Sequence, residues 1–229
     1  MKSVLWLLVC AVVSISVFAQ GEAELVKKVK AKLDKINDYK ASGRMNIDVS
    51  FINVPPSDII TYYKKPDRFK IKKTDGISIL PKGGVSININ SLLTEKDYAI
   101  VPAGTAMIEK LPVRVIKLLP SSDKSDIVLT TLYIDETNLI IKKAIVTTKD
   151  NGTYQIDMTF GKYIQAGLPD KIIFTFNTKE YKIPKGVTFE YEKGDKKEKD
   201  NKNNSQGKVE IIYNSYIINK GIEESIFNK

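Results

Sequence analysis

The pattern of apolar and polar residues predicts one helix near the N-terminus. An apolar stripe at helical spacing runs through residues 22–40 and is formed by Leu25, Val26, Val29, Leu33, Ile36 and Tyr39. Glu22 and Glu24 stand in the first turn, where acidic side chains favour the helix dipole. Ser42-Gly43 is expected to end the helix. Its apolar stripe is expected to pack on a sheet; the alternative is a basic amphipathic helix lying on a membrane.

Most of the remaining chain alternates apolar and polar residues, as antiparallel strands with two unlike faces do. The alternation is clearest over residues 45–51, 85–89 and 154–160. Turn signals lie at Pro55-Pro56, Asp75-Gly76, Lys82-Gly83-Gly84 and Asn151-Gly152. The last of these predicts a hairpin between strands at about 138–149 and 153–163, because Asn-Gly suits a tight two-residue turn.

Two further segments depart from the alternation. Residues 105–119 are rich in apolar side chains and contain Pro112, which predicts two short helical pieces with a break at the proline. Residues 192–208 contain no apolar side chain and predict a flexible loop. A nucleic-acid-binding arm is the alternative for that loop. It is disfavoured because acidic residues interrupt the lysines and no aromatic side chain is present to stack on bases.

These elements predict an α+β fold that is mainly β. About ten or eleven antiparallel strands form a large curved sheet, because a sheet of that size must curl. The expected architecture is a half-open β-barrel whose concave face is covered by the N-terminal helix and the short helices. Incomplete cover by the helices would leave an apolar cavity, which is a site for a lipid or a similar ligand.

The first residues resemble a secretory signal peptide. Residues 4–17 are mainly apolar, follow Lys2, and lead to a small residue, Ala19. Cleavage there would leave one domain, residues 20–229, in the periplasm. A membrane anchor is the alternative, but the stretch is short of the roughly 20 residues that span a bilayer. Cys10 follows Val9 inside the apolar stretch, so no lipid anchor is expected on it.

Composition removes most catalytic chemistry. The chain has no His, and its only Trp and Cys are Trp6 and Cys10. Histidine triads, thiol catalysis and ordinary zinc sites are therefore excluded after the predicted cleavage. The net charge of +9 comes from lysines interleaved with acidic residues, which is typical of a solvated surface; the alternative is a surface that favours anionic membranes or nucleic acid.

The remaining candidates for catalysis are carboxylate pairs. Asp123 with Asp126 and Asp135 with Glu136 fall in polar, turn-like segments and are expected to be solvated loop charges. The protein is therefore expected not to be an enzyme and to need no metal and no cofactor. A hydrolase that uses only carboxylates is the enzymatic alternative.

Five motifs along the chain carry a resemblance to a known family. They lie in the expected order at residues 33–42, 63–71, 132–144, 160–170 and 184–187. In this order, behind a predicted signal peptide, they resemble the periplasmic outer-membrane lipoprotein carriers, LolA-like proteins with LolB-like relatives. The resemblance implies a monomeric carrier that shields the acyl chains of lipoproteins or other acylated lipids. It also implies membrane-bound donor and acceptor proteins as partners and no role for nucleic acid.

The resemblance and the apolar spacing together give candidate site residues. Those expected to line the apolar cavity are Leu33, Ile36, Met45, Ile47, Ile87, Ile89, Ile108, Leu111, Ile156 and Met158. Lys65 and Pro66 are expected at the mouth of the cavity, where the family often has Arg before the proline and uses it in transfer of the ligand. A lipid- or protein-sensing periplasmic module of the same fold, without transport, is the alternative function.

Overall fold

The computed structural model describes residues 21–49, 52–73, 92–93, 97–178 and 206–227. Within these ranges, one α-helix, α1, occupies residues 21–33, and ten strands follow it. In chain order the strands are β1 (Asp38–Val49), β2 (Ile52–Lys64), β3 (Arg68–Lys73), β4 (Tyr98–Ile108), β5 (Leu111–Pro120), β6 (Ile127–Asp135), β7 (Ile140–Thr148), β8 (Thr153–Thr159), β9 (Lys171–Asn177) and β10 (Gln206–Ile218).

All ten strands belong to one antiparallel sheet. Its strand order is β3-β2-β1-β10-β9-β8-β7-β6-β5-β4, so every neighbouring pair is consecutive in the chain except β1 with β10. The predicted mainly β class and the antiparallel pairing are confirmed. The half-open barrel is not: β3 and β4 are the two edges of an open sheet, which neither closes nor curls strongly.

The predicted helix was too long. Residues 21–33 are helical, but β1 already begins at Asp38, and Ser42-Gly43 lies inside that strand rather than at a helix end. Tyr39 and Ala41 are buried on the sheet, where β1 pairs with β2 on one side and β10 on the other. Pairing on both sides outweighed the helical spacing, which Tyr39 continued only by coincidence.

The two short helices predicted over residues 105–119 are wrong, because β4 and β5 form a hairpin there. Its turn is Glu109-Lys110, with φ of 49° and 69°. Ile116 and Leu118 are buried on one face of β5, while Val113 and Val115 are buried on the other. Because both faces of β5 are apolar, its sequence lost the alternation that marks a half-exposed strand.

The turn signals had mixed outcomes. The hairpin at Asn151-Gly152 is confirmed, with β7 and β8 antiparallel and Gly152 at φ 67°. Pro55-Pro56 is not a turn but part of β2, opposite a register shift in β1 between Met45 and Ile47. The bulge accommodates two prolines, neither of which has a backbone N–H to donate to the ladder.

Some expectations lie outside the described residues. These are the signal peptide at 1–19, the alternating stretch 85–89 with Ile87 and Ile89, and the turns at 75–76 and 82–84. The loop predicted over 192–208 is described only at residues 206–208, which belong to β10 instead. Within the described ranges, no helix is both long and apolar enough to cross a membrane.

The core lies between α1 and one face of the sheet, called here the inner face. Every second residue of the central strands is buried there, including Leu132 and Ile134 of β6, Ala144 and Val146 of β7, and Ile156 and Met158 of β8. Leu92 and Leu93 are also buried in this core. The opposite side of the sheet is called the outer face.

Candidate functional site

The apolar stripe of α1 packs against the inner face. Leu25, Val26, Val29 and Leu33 are buried in the same core cluster as the strand residues. Val26 and Val29 are only 2% and 1% exposed. Burying a side chain of this kind contributes about 1.5–3 kcal/mol. The helix is therefore held on the sheet chiefly by apolar contact, as the sequence predicted.

Polar contacts fix the first turns of α1 to the strands beneath it. The Arg114 guanidinium of β5 lies 3.6 Å from the Glu22 carboxylate and donates a hydrogen bond of 3.0 Å to Glu136. Farther along, the Lys32 ammonium donates to the Asn138 carbonyl at 2.6 Å. Desolvation lowers the pKa of Lys32, although Asp135 acts in the opposite direction.

The link between α1 and β1 is held by one asparagine at the end of β10. The Asn219 side-chain oxygen accepts from the backbone N–H of Asn37 at 2.7 Å, and its amide donates to the Lys35 carbonyl at 2.9 Å. A second set of hydrogen bonds joins the same two segments: the Asp38 carboxylate accepts from the backbone N–H groups of Lys220 and Gly221. The end of the helix and the start of the C-terminal segment are thus joined.

A cavity of about 400 Å³ opens beside the end of α1. It is lined by Lys30, Leu33, Asp34, Tyr63, Lys65, Pro66, Asp67 and Leu93. Its volume lies within the range of about 300–1,000 Å³ that is typical of ligand pockets. The apolar lining comes from the helix, from β2 and from Leu93, while the charged side chains come from α1 and the β2–β3 turn.

The charged side chains at this cavity form a chain of contacts. The Lys65 ammonium donates to the backbone carbonyl of Asp34 and lies 3.3 Å from its carboxylate. Lys30 lies 3.5 Å from the same carboxylate, one helical turn away. The backbone N–H of Lys65 also donates to the Asn37 carbonyl at 2.8 Å. The β2–β3 turn, which contains a cis Lys65-Pro66 bond, is therefore attached to the last turn of α1.

Tyrosines form the sheet surface next to the cavity. The ring centroid of Tyr63 lies 5.2 Å from that of Tyr39, which in turn lies 5.4 Å from that of Tyr216. Tyr216 also contacts Tyr163 and Tyr213, at 4.9 and 5.1 Å. Burial raises the pKa of Tyr39 and Tyr216, and raises that of Tyr213 to about 12. Of these rings, Tyr63 lines the cavity, and its packing against Tyr39 supports that part of the lining.

The predicted site residues within the described ranges fall into three groups, which leaves out Ile87 and Ile89. Leu33, Lys65 and Pro66 line the cavity itself. Ile36, Met45, Ile156 and Met158 are buried in the core, and Ile47 packs against it half-buried. Ile108 and Leu111 pair with each other at the end of the β4–β5 hairpin, in register with Val113 and on the outer face. In the structure, the predicted residues at the helix end and in the β2–β3 turn meet at the cavity, whereas those of the β4–β5 hairpin lie elsewhere.

Sequence reasoning missed five lining residues, Lys30, Asp34, Tyr63, Asp67 and Leu93. Two signals could have found some of them. Lys30 and Asp34 stand four residues apart on the helix, a spacing that allows an ion pair. Tyr63 is an aromatic residue next to Lys64 in an alternating strand, and that strand ends just before Lys65 and Pro66, which were predicted at the mouth of the cavity. No local signal marks Leu93.

Of the carboxylates considered for catalysis, Asp135 and Glu136 make structural contacts. Asp135 is only 2% exposed and not solvated as expected. It accepts from the backbone N–H groups of Thr137 and Asn138 and from the Asn138 side chain. Glu136 pairs with Arg114. Over the described ranges, no three Asp, Glu, His or Cys side chains converge as a metal site would require.

No known protein family and no curated protein matches the sequence. Solved structures do match the fold. A DUF1329 family protein from Desulfovibrio piger has a TM-score of 0.58 at 10% identity, covering 91% of this chain and 96% of its own.

Two further structures agree with this comparison. A putative outer membrane lipoprotein-sorting protein domain from Vibrio parahaemolyticus has a TM-score of 0.54 at 12% identity, covering 92% of this chain and 97% of its own. A LolA superfamily protein from Nitrosomonas europaea has a TM-score of 0.56 at 10% identity, covering 91% and 97%. The resemblance found in the sequence is thus confirmed as a likeness of fold.

Proposed function

We propose that this chain, which shares the fold of LolA superfamily structures, is a periplasmic carrier of acyl chains. It receives lipoproteins or other acylated lipids from a membrane-bound donor, shields their hydrocarbon from water, and passes them toward an acceptor at the outer membrane. It works as a monomer, without catalysis and without a cofactor. The solved lipoprotein-sorting relative supports this proposal through its fold.

The observation that carries the proposal is that, among the described residues, the inner face is covered by one amphipathic helix, α1, together with Leu92 and Leu93. The described part of the chain buries a wide apolar sheet surface under α1, with a cavity already open at the helix end. An acyl chain that enters beside Leu33 and Leu93 can extend along the sheet if α1 moves away. The residues that then contact the hydrocarbon are those that now contact the helix.

The energetics favour such an exchange. Removing a methylene from water contributes about 0.8 kcal/mol, so an acyl chain strongly prefers any apolar site to the aqueous periplasm. A bilayer is equally apolar, so transfer between membrane and carrier can be nearly balanced. Displaced helix residues such as Val26 and Val29 lose their burial, and this loss sets the affinity. A modest change in how firmly α1 is held can therefore load or unload the carrier.

A crosslink that fixes α1 tests this proposal. Glu22 and Arg114 lie on the helix and on β5, and residues 21–229 contain no native Cys. The double substitution Glu22→Cys with Arg114→Cys can be joined by a cleavable bismaleimide that spans the two positions. We expect the joined protein to bind a fluorescent fatty-acyl probe on the order of tenfold more weakly, because the open state is removed. Cleaving the linker should restore binding.

The matched control joins two strands instead of the helix and the sheet. Lys171 and Glu210 form an ion pair of 3.3 Å between β9 and β10, on the outer face. Lys171→Cys with Glu210→Cys, joined by the same reagent, should bind the probe as the unjoined protein does. Equal probe binding by the joined helix variant and the joined control, or binding no better than that of a denatured sample, would refute the carrier.

A further inference from the structure

The outer face of the β2–β3 hairpin is strongly cationic. Across the two strands, Lys64 pairs with Arg68, Tyr62 with Lys70, and Ile60 with Lys72. These residues share the outer face because Ile59, Thr61, Tyr63 and Ile71 are the buried ones. On β1, exposed Lys40 pairs with Tyr62 and extends the same surface. We call this set of residues the hairpin cationic face.

The segment after β10 lies across this face. Residues 219–227 form a strap that ends in a short 3-10 helix, Glu224–Ile226. The Glu224 carboxylate contacts Lys64 at 2.7 Å and Arg68 at 3.3 Å. Lys64 also donates to the Ile222 carbonyl, and Lys70 donates to that of Ile226. The Arg68 guanidinium lies 5.8 Å from the centre of the Phe227 ring.

Glu224 is held as an anion by the face that it covers. Its hydrogen bond from Lys64 is the largest cause of a lowered pKa, with the charges of Lys64 and Arg68 adding to it. Yet the carboxylate is 55% exposed, and the Lys64 and Arg68 side chains are 32% and 47% exposed. Ion pairs between exposed groups contribute little and are screened by salt. A surface that presents many anionic groups together can therefore replace this single carboxylate.

We infer that the hairpin cationic face docks on anionic phospholipid headgroups, and that Glu224 occupies its centre while the protein is free in solution. Apolar and aromatic side chains stand among the cations, including Ile60, Tyr62 and, opposite Lys40, Ile217, which is 52% exposed. Such a mixture is typical of surfaces that lie at a membrane interface. Lys65 and Pro66, in the turn of the same hairpin, line the cavity on the other side of the sheet, so the docking surface and the cavity share this hairpin.

Vesicle flotation tests this surface without any acyl cargo, so its outcome is independent of the carrier proposal. The purified protein is mixed with vesicles of pure phosphatidylcholine, or of equal parts phosphatidylcholine and phosphatidylglycerol. We expect binding only to the anionic vesicles, and binding that weakens as salt is added. Lys40→Gln with Arg68→Gln should lower the affinity by roughly fivefold for each charge removed. Lys117→Gln with Lys143→Gln, on β5 and β7 at the other end of the sheet, makes the same change in net charge and should have a smaller effect.

The strap is tested by a neighbouring pair of substitutions. Glu224→Gln removes the carboxylate that covers Lys64 and Arg68, and it should raise the affinity for anionic vesicles several-fold. Glu223→Gln changes net charge equally, but the described contact of that side chain is with Ser225 at 3.2 Å. It should therefore change affinity less. Equal effects of the two substitutions would overturn the role of Glu224.

Three other results would overturn the surface itself. One is equal loss of binding in the Lys40–Arg68 and Lys117–Lys143 variants, which would mean that only net charge matters. Another is binding of inorganic phosphate strong enough to block flotation at equal phosphate concentration, which would indicate a site for free anions. Binding of both vesicle types alike would also exclude headgroup recognition.

Discussion

At the scale of single residues, the buried tyrosines beside the cavity link stability to pH. Tyr213 is 5% exposed and its hydroxyl lies 3.3 Å from the Thr61 hydroxyl. Desolvation raises its pKa from 10.0 to about 12, while the hydrogen bond with Thr61 acts in the opposite direction. A raised folded pKa means that this stability is fully present below pH 10 and is lost as the pH rises toward 12.

We therefore expect Tyr213→Phe to flatten the alkaline loss of stability. Between pH 10 and 12 the wild-type free energy of unfolding should fall by up to about 1.4 kcal/mol per pH unit from this group, and the variant should lack that part. Near neutral pH the variant should be about 1 kcal/mol less stable, because Thr61 loses its partner. Urea unfolding over a pH series measures both effects. Parallel curves for the two proteins would contradict the assignment.

At the scale of elements, Asn219 connects three segments that meet beside the cavity. It bonds to both sides of the α1–β1 link, and it begins the strap that crosses the hairpin cationic face. Its φ of 53° lies in the left-handed region that asparagine tolerates better than most residues. The position of α1 over the sheet therefore depends partly on a contact near the end of the chain.

We expect Asn219→Ala to loosen α1 while leaving the rest of the sheet intact. Amides of residues 24–37 should exchange with solvent at least several-fold faster, because two hydrogen bonds at the helix end are lost. Amides of β6, β7 and β8 should keep their wild-type rates. Asn219→Asp keeps the acceptor for the Asn37 N–H but loses the donor to Lys35, so its effect should be intermediate. Faster exchange throughout the sheet would instead indicate general destabilisation.

At the scale of the whole molecule, the sheet depends on one pairing between distant parts of the chain. β1 and β10 join the N-terminal strands β1–β3 to the meander β4–β9. Gly43 lies at a register shift in this pairing, and a Cβ there would collide with the Ile212 carbonyl and lie 3.1 Å from the Tyr213 Cα. Backbone atoms of a paired strand have little freedom to move away.

Gly43→Ala is accordingly expected to destabilise the whole fold by about 2 kcal/mol or more, seen as a lower urea midpoint in a single transition. Gly207→Ala, on β10 where it pairs with Phe176 of β9, is the control. A Cβ at Gly207 would meet the end of the Phe176 ring, 2.5 Å from its Cζ, and a side chain can turn aside. That substitution should cost clearly less. A smaller loss for Gly43→Ala than for Gly207→Ala would contradict the importance of this close approach.

The pattern of apolar and polar residues predicted the secondary structure correctly where one face of an element is buried and the other is exposed to solvent. It located α1 and the β7–β8 hairpin. A resemblance in motif drew attention to Lys65 and Pro66, which line the cavity and whose role in transfer stays a prediction. The pattern failed in β5, where burial on both faces removed the alternation, and at Tyr39, where the helical spacing continued by chance into a strand. The openness of the sheet was also not predictable, because curvature depends on how strands twist and bulge together.

The sequence by itself determined the class of the protein: an apolar stripe for one helix, alternating strands for an antiparallel sheet, and no histidine for catalysis. These follow from the side chains of neighbouring residues, which act over one element. Only the tertiary structure decided which elements meet. The pairing of β1 with β10, the contact of Asn219 with the α1–β1 link, and the seating of Glu224 on Lys64 and Arg68 each join residues more than 150 positions apart. Such contacts depend on the packing of the whole sheet, and no local pattern records them.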